Sequence, residues 1–253
     1  MRQHASTVVM FATVALFAAA GAYAGGTTIP AYVTTAIDDP ARASDKPADA
    51  RRHIAELTAF AKIKPGDVVV ELVPGNGYFT RVFSKIVGPK GHVYALWPTE
   101  YAAEAVSNVE DMRKMAELPQ YANVEVVVQP AAQFKIPKPI DVMFTSQNYH
   151  DYPDKFMGSI DPVVFGKQVH AALKPGGVFI VIDHVADAGS GLRDTDTLHR
   201  IDPAKARALV EAAGFKFDGE TDILRNPADD HKKAVFDPAI RGRTDQFAYR
   251  FVK

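Results

Sequence analysis

Residues 68–86 read VVVELVPGNGYFTRVFSKI, and the reading of this stretch decides the fold. Val68, Val69 and Val70 form a β-branched apolar run suited to a strand covered on both faces. Phe79, Val82, Phe83 and Ile86 then recur at helical spacing and define one buried stripe. Between strand and helix lies Glu71-Leu72-Val73-Pro74-Gly75-Asn76-Gly77. Gly75 and Gly77 permit φ values that a Cβ forbids, and let a ligand come close to the main chain. The first amides of the following helix have no intrahelical acceptor and form a polar docking surface. Strand, glycine-bearing loop and helix in this order make the usual nucleotide cradle of open α/β folds.

Working outward, residues 25–49 are rich in Ala, Thr, Pro and Asp and read as an extended arm. A helix is expected from Ala48, with Ile54, Leu57 and Ala61 on one side, ending before the turn Lys64-Pro65-Gly66-Asp67. Beyond the central stretch, further strands are expected over 92–96, 123–128, 140–145 and 178–182. Helices are expected over 101–118, from Asp161-Pro162, and from Asp202-Pro203 to Gly214. Residues 187–201 form a polar, glycine-containing insertion, and strands over 215–224 and 246–252 close the chain. Alternating strands and helices predict a mostly parallel, Rossmann-like α/β sheet with helices on both faces. The last two strands lack a helix between them, so an antiparallel hairpin is expected at one edge. The expected organisation is a signal peptide over 1–24, the arm over 25–49 and one domain over 50–253.

Composition narrows the function classes. The chain has 253 residues, 47% hydrophobic and 23% charged, as an ordinary globular protein does. A net charge of -1 supplies no basic surface for nucleic acid or anionic lipid. Arg2, the apolar run over 8–20 and Ala22-Tyr23-Ala24 have the pattern of a cleaved secretory signal. The run is short for a membrane span. A periplasmic or secreted protein without a stable membrane anchor after cleavage is therefore expected. The chain has no cysteine, which excludes disulfides and thiolate metal sites.

Several further segments carry a family resemblance: Asn148-Tyr149-His150-Asp151, Leu173-Lys174-Pro175-Gly176-Gly177, Ile182-Asp183-His184, Leu198-His199-Arg200-Ile201-Asp202, Leu224-Arg225-Asn226-Pro227 and Arg243-Thr244-Asp245-Gln246-Phe247. With the glycine loop and the two closing strands, the chain resembles class I S-adenosylmethionine-dependent methyltransferases, and more narrowly an exported bacterial methyltransferase-like group. The resemblance implies S-adenosylmethionine as cofactor, held by Glu71, Pro74, Gly75, Asn76, Gly77, Tyr78 and Trp97. It implies Glu71 near the amino acid portion of the donor. The loop departs from the family pattern at Val73, where a glycine is usual, at Trp97, where an acid usually takes the ribose hydroxyls, and at Pro130, where many relatives have an aspartate. Glu100 is a candidate substitute for the missing acid. A dinucleotide site is the competing reading of the loop, but it expects a third glycine where Thr80 stands.

Reactive side chains of open α/β sheets gather outside the carboxyl ends of the strands. His150 and Asp151 follow the fourth strand and are the expected catalytic pair, His150 as general base and Asp151 to orient a neighbouring group or bind a cation. Tyr149, His184, His199 and Arg200 are expected to meet a small-molecule substrate. Histidines and carboxylates in one cleft suit a divalent metal, but no pair has the i, i+4 spacing of a helical site, and no metal is assigned. The expected activity is methyl transfer to a small molecule. The alternative is a non-catalytic ligand-binding or sensing module on the same fold. The sequence leaves the acceptor and the oligomeric state open.

Overall fold

The computed structural model describes residues 28–253, so the expected signal segment lies outside the described residues. Seven strands form one sheet: β1 (Val68–Leu72), β2 (His92–Pro98), β3 (Val124–Gln129), β4 (Ile140–Ser146), β5 (Leu173–His184), β6 (Lys216–Thr221) and β7 (Gln246–Val252). Their order is β3-β2-β1-β4-β5-β7-β6. The first five are mutually parallel, and β7 runs antiparallel to both β5 and β6. The expected Rossmann-like sheet is thus present, and its closing strand β7 sits between β5 and β6.

Nine α-helices accompany the sheet among the described residues: α1 (Ala31–Ile37), α2 (Lys46–Arg52), α3 (Ile54–Phe60), α4 (Tyr78–Val87), α5 (Thr99–Glu104), α6 (Val106–Ala116), α7 (Pro162–Ala172), α8 (Thr195–Leu198) and α9 (Pro203–Ala212). Strand residues alternate between two cores, because successive Cβ atoms point to opposite faces. Val69, Ala95, Phe144 and Ile180 face Phe79, Val82 and Phe83 of α4, while Val70, Leu96, Met143 and Val181 face Phe165 and Val169 of α7 and Val210 of α9. Phe144 is fully buried and lies 4.8 Å from Phe79 and 5.0 Å from Phe83, ring centre to ring centre. Truncating such a ring costs about 3–5 kcal/mol.

The region expected to be an extended arm is helical and packed. Val33 and Ala36 of α1 join the α4 core with no exposed surface. Arg42 is buried, donates to the Ile37 carbonyl at 2.6 Å and pairs with Asp49 at 2.7 Å. Asp45 binds the Arg81 guanidinium through two contacts of 2.6 Å, tying the arm to α4. Its charged residues therefore pair with one another and with α4, Arg42 and Asp45 in the interior and Asp49 and Arg81 at its margin. The helix expected from Ala48 is broken at His53, whose φ is 47°, and that expected over 101–118 is broken at Ala105. None of the described helices is long and apolar enough to cross a membrane.

Sequence order reverses between β1 and β4: β2 and β3 lie to one side, β5 to the other. The crevice at the carboxyl ends of β1 and β4 is consequently where this fold presents a ligand site.

Candidate active site

A cleft of about 660 Å³ opens at that switch point. The volume falls within the range of small-ligand sites. One wall is the β1 loop, contributing Glu71, Val73, Pro74, Gly75 and Asn76, with Tyr78 at the start of α4. Trp97, Glu104 and Asn108 follow from β2, α5 and α6, and Asn148, His150, Asp151, His184 and His199 form the other wall. Phe156 and Phe236, 41% and 56% exposed, make apolar lips.

Glu71 is buried, and its Oε2 accepts a 2.6 Å hydrogen bond from the Thr80 hydroxyl. Thr80, standing where a dinucleotide loop has glycine, thus positions the glutamate. Burial pushes the Glu71 carboxyl up to about 8, against the opposing Thr80 hydrogen bond and the charges of Arg52 and Arg81. Val73 adopts φ 48°, a left-handed conformation costly for a β-branched residue. Its amide donates to the Leu96 carbonyl at 2.8 Å, and the loop keeps the glycine path despite the extra side chain. Gly75 has φ 60° and open space where a Cβ would stand. Gly77, expected to hold the cofactor, does not line the cleft. A Cβ there would meet Arg81 at 3.0 Å and Met112 at 3.2 Å, so this glycine serves the packing of α4 on α6.

Trp97 lines the cleft while 1% exposed, and its indole Nε1 has no hydrogen-bond partner among the described residues. Glu100 does not substitute for the missing acid: its carboxylate accepts the Ala131 amide at 2.8 Å, away from the cleft. Pro130 is exposed and also outside it. The polar groups nearest this wall in chain order are instead Glu104 and Asn108, which the sequence reading missed.

The opposite wall is a bonded cluster. Asp183, at the end of β5 and fully buried, accepts from the His150 amide at 2.9 Å and from His150 Nδ1 at 2.7 Å. His150 Nε2 lies 3.1 Å from Asp151 Oδ1 and 3.4 Å from His199 Nδ1. Burial alone would lower His150, but Asp183 and Asp151 overcome it and raise the imidazole to about 10. The expectation of a neutral base poised near pH 7 is therefore corrected: two carboxylates hold this ring protonated. Burial likewise raises Asp151, yet His150 and His199 hold it below its ordinary value. His184 is lowered to about 4 by burial and stays neutral, its Nδ1 paired with the Thr244 hydroxyl at 2.8 Å.

Two expected substrate residues lie elsewhere. Tyr149 has no exposed surface and packs against Phe179 inside the α7 core. Arg200 is equally buried, donating to the Lys233 and Val185 carbonyls and pairing with Asp229 at 2.9 Å. Both contribute to the architecture behind the cleft. Arg52, absent from the expected site, stacks on Tyr78 at 4.3 Å and lines this cleft together with a neighbouring one of about 320 Å³.

A model of the methyltransferase domain family matches residues 63–214, which carry β1 through β5 and all of the cleft lining but Arg52, Val235 and Phe236. The chain belongs to the methyltransferase domain family. The fold agrees with solved class I structures. A S-adenosylmethionine-dependent methyltransferase from Aquifex aeolicus superposes with a TM-score of 0.55 at 19% identity, over 87% of this chain and 96% of that one. Aeropyrum pernix fibrillarin, solved with natively bound S-adenosylmethionine, gives 0.52 at 13% identity over 81% and 76%. At these identities the likeness is one of fold. A protein-L-isoaspartate O-methyltransferase of Ignicoccus hospitalis is 33% identical over 75 residues, which is 30% of this chain and 33% of that protein. This methyltransferase domain therefore spans about a third of the curated relative it matches.

S-adenosylmethionine is the cofactor of this class of domain, and the residues present fit it. The buried Glu71 carboxyl, the open main chain at Gly75 and the unpartnered Trp97 Nε1 all border one cleft of suitable size.

Proposed function

We propose that the protein is an exported methyltransferase that acts on a small-molecule acceptor seated against His150, Asp151, His184 and His199. The observation that carries this reading is the single cleft shared by the β1 loop and the imidazole–carboxylate cluster. When bound, S-adenosylmethionine supplies an electrophilic methyl group on its sulfonium. Glu71, Pro74, Gly75, Asn76, Tyr78 and Trp97 are the residues proposed to hold it. Asp183 is a positioning residue, its carboxylate accepting from both the amide and the ring Nδ1 of His150. His150, held protonated, is a hydrogen-bond donor toward an acceptor oxygen. Asp151, held ionised, is the group available to orient an acceptor hydroxyl and take its proton. Methyl transfer asks little more than alignment of acceptor and donor, with a base where the acceptor keeps its proton.

The cleft volume and its aromatic lips support a small acceptor over a polymer. The isoaspartyl acceptor named for the archaeal relative is not carried over, because the match covers so little of that protein. Export rests on Arg2, the apolar run over 8–20 and Ala22-Tyr23-Ala24.

Calorimetry with S-adenosylmethionine and S-adenosylhomocysteine tests the donor side, with Gly75→Val expected to abolish the heat. Absence of saturable binding at millimolar ligand would overturn the proposal. Cell fractionation with N-terminal sequencing tests export, the expected mature start lying near Gly25.

A further inference from the structure

We infer that His150, Asp151 and His199 form a binding site for a borderline divalent cation of the zinc type. Three donor atoms from two distant segments converge on one point: His150 Nε2 to Asp151 Oδ1 is 3.1 Å, His150 Nε2 to His199 Nδ1 is 3.4 Å, and His199 Nδ1 to Asp151 Oδ1 is 3.9 Å. A tetrahedral shell with metal–donor bonds of about 2.0–2.1 Å has edges of about 3.3 Å. The three spacings therefore already outline one face of such a shell. Two imidazole nitrogens with one carboxylate oxygen is a donor set that zinc and similar ions accept, and the ion would take the place of the proton on His150 Nε2, so metal-bound and protonated His150 are alternative states of the site.

The surroundings have the organisation of a metal centre. His150 donates its other ring nitrogen to Asp183 at 2.7 Å, and Asp183 is fixed in turn by the amides of His150 and His184 at 2.9 and 2.8 Å. A ligand histidine anchored by a buried carboxylate keeps its coordinating nitrogen aimed. His199 supplies its Nδ1 from a residue at φ 53°, packed edge-on against Phe236 at 4.8 Å. Its side chain is 30% exposed while those of His150 and Asp151 are 3% and 4% exposed, so the fourth face opens to the cleft. That open position takes a water or an oxygen of the acceptor. The role toward the acceptor rests on the methyl-transfer reading; the cation site does not. Sequence spacing conceals the site, since its ligands are supplied by the turn after β4 and the far end of the insertion.

The experiment uses tag-free protein, stripped with chelator and dialysed, in a calorimeter with Zn²⁺ as the probe. One equivalent is expected to bind with micromolar or tighter affinity. Asp151→Asn and His199→Asn are each expected to weaken binding about 100-fold, and Asp183→Asn about 10- to 100-fold. Asparagine is chosen at 199 because it tolerates left-handed backbone, and unchanged melting verifies the fold. Co²⁺ in place of Zn²⁺ is expected to show the intense visible bands of four-coordinate cobalt, lost in His199→Asn. No saturable Zn²⁺ heat, or heat unaltered in both Asp151→Asn and His199→Asn, would overturn the inference. The same protein titrated with S-adenosylmethionine separates the two readings. Zinc heat without donor heat upholds this site and sinks methyl transfer, and donor heat without zinc heat does the reverse.

Discussion

Replacing Glu71 with glutamine isolates what the burial of one carboxyl does to stability and to donor binding. Its carboxyl rises from 4.5 to about 8 in the folded protein, burial being the main cause. A folded value above the unfolded one means that the folded state holds the proton between those two pH values. The associated stability is complete below pH 4.5 and is lost as pH climbs through 8. Raising a carboxyl over this range corresponds to a ceiling of about 5 kcal/mol. Glutamine mimics the protonated acid and cannot ionise. Melting of the wild type is therefore expected to fall relative to Glu71→Gln between pH 5 and pH 9, by on the order of 10 °C at the upper end. Donor binding should carry the opposite sign. A cationic ligand group beside Glu71 favours the carboxylate, so wild-type affinity rises about tenfold per pH unit up to pH 8 and then levels. Differential scanning fluorimetry and calorimetry across the pH series read both effects, and the variant cancels every other titrating group. Parallel pH profiles in wild type and Glu71→Gln, for melting and for affinity, would refute the reasoning.

Other substitutions test neighbouring features. Gly75→Val puts a side chain into open space at φ 60°, so it should cost about 1–2 kcal/mol in denaturant titration yet remove donor binding. Gly77→Ala meets Arg81 and Met112 and is expected to destabilise the domain while the heat of donor binding persists at low temperature. Arg42→Ala leaves Asp49 without its buried partner and is expected to cost about 3 kcal/mol, the low end because Asp45 keeps Arg81, as urea unfolding will show. Phe144→Ala is expected to lower stability by about 3–5 kcal/mol in the same assay.

The strand–loop–helix at residues 68–86 was legible because its signals are local: a β-branched run, glycines and a helical period each point the same way. The site was legible as separate segments. What no spacing conveys is that His150 and His199, 49 residues apart, touch, or that Asp183 at the end of β5 holds His150 beyond the neighbouring β4. Tyr149 and Arg200 misled for a physical reason. A polar residue beside a reactive one reads as a ligand group, yet here one ring fills the core and one guanidinium neutralises Asp229 while serving two carbonyls. The arm misled because its Ala-, Thr-, Pro- and Asp-rich composition reads as loop, whereas pairing among Arg42, Asp45, Asp49 and Arg81 holds its short helices against α4. Arg52 escaped notice because it lies at the end of α2, in the stretch read as one helix through His53, where the chain in fact breaks.

The place of β7 in the sheet also bears on how this chain matures. The strand is the last of the seven to be synthesised, yet β6 takes its strand partner from it and β5, already paired with β4, takes its second. A nascent polypeptide that has not yet released these residues carries two open strand edges, each a template for pairing with another molecule. Completion of the sheet therefore waits for β7, whose pairing with β5 joins residues as far apart as Val178 and Val252, and such non-local pairing slows folding. Such a topology lengthens the interval in which a chaperone can still hold the chain unfolded.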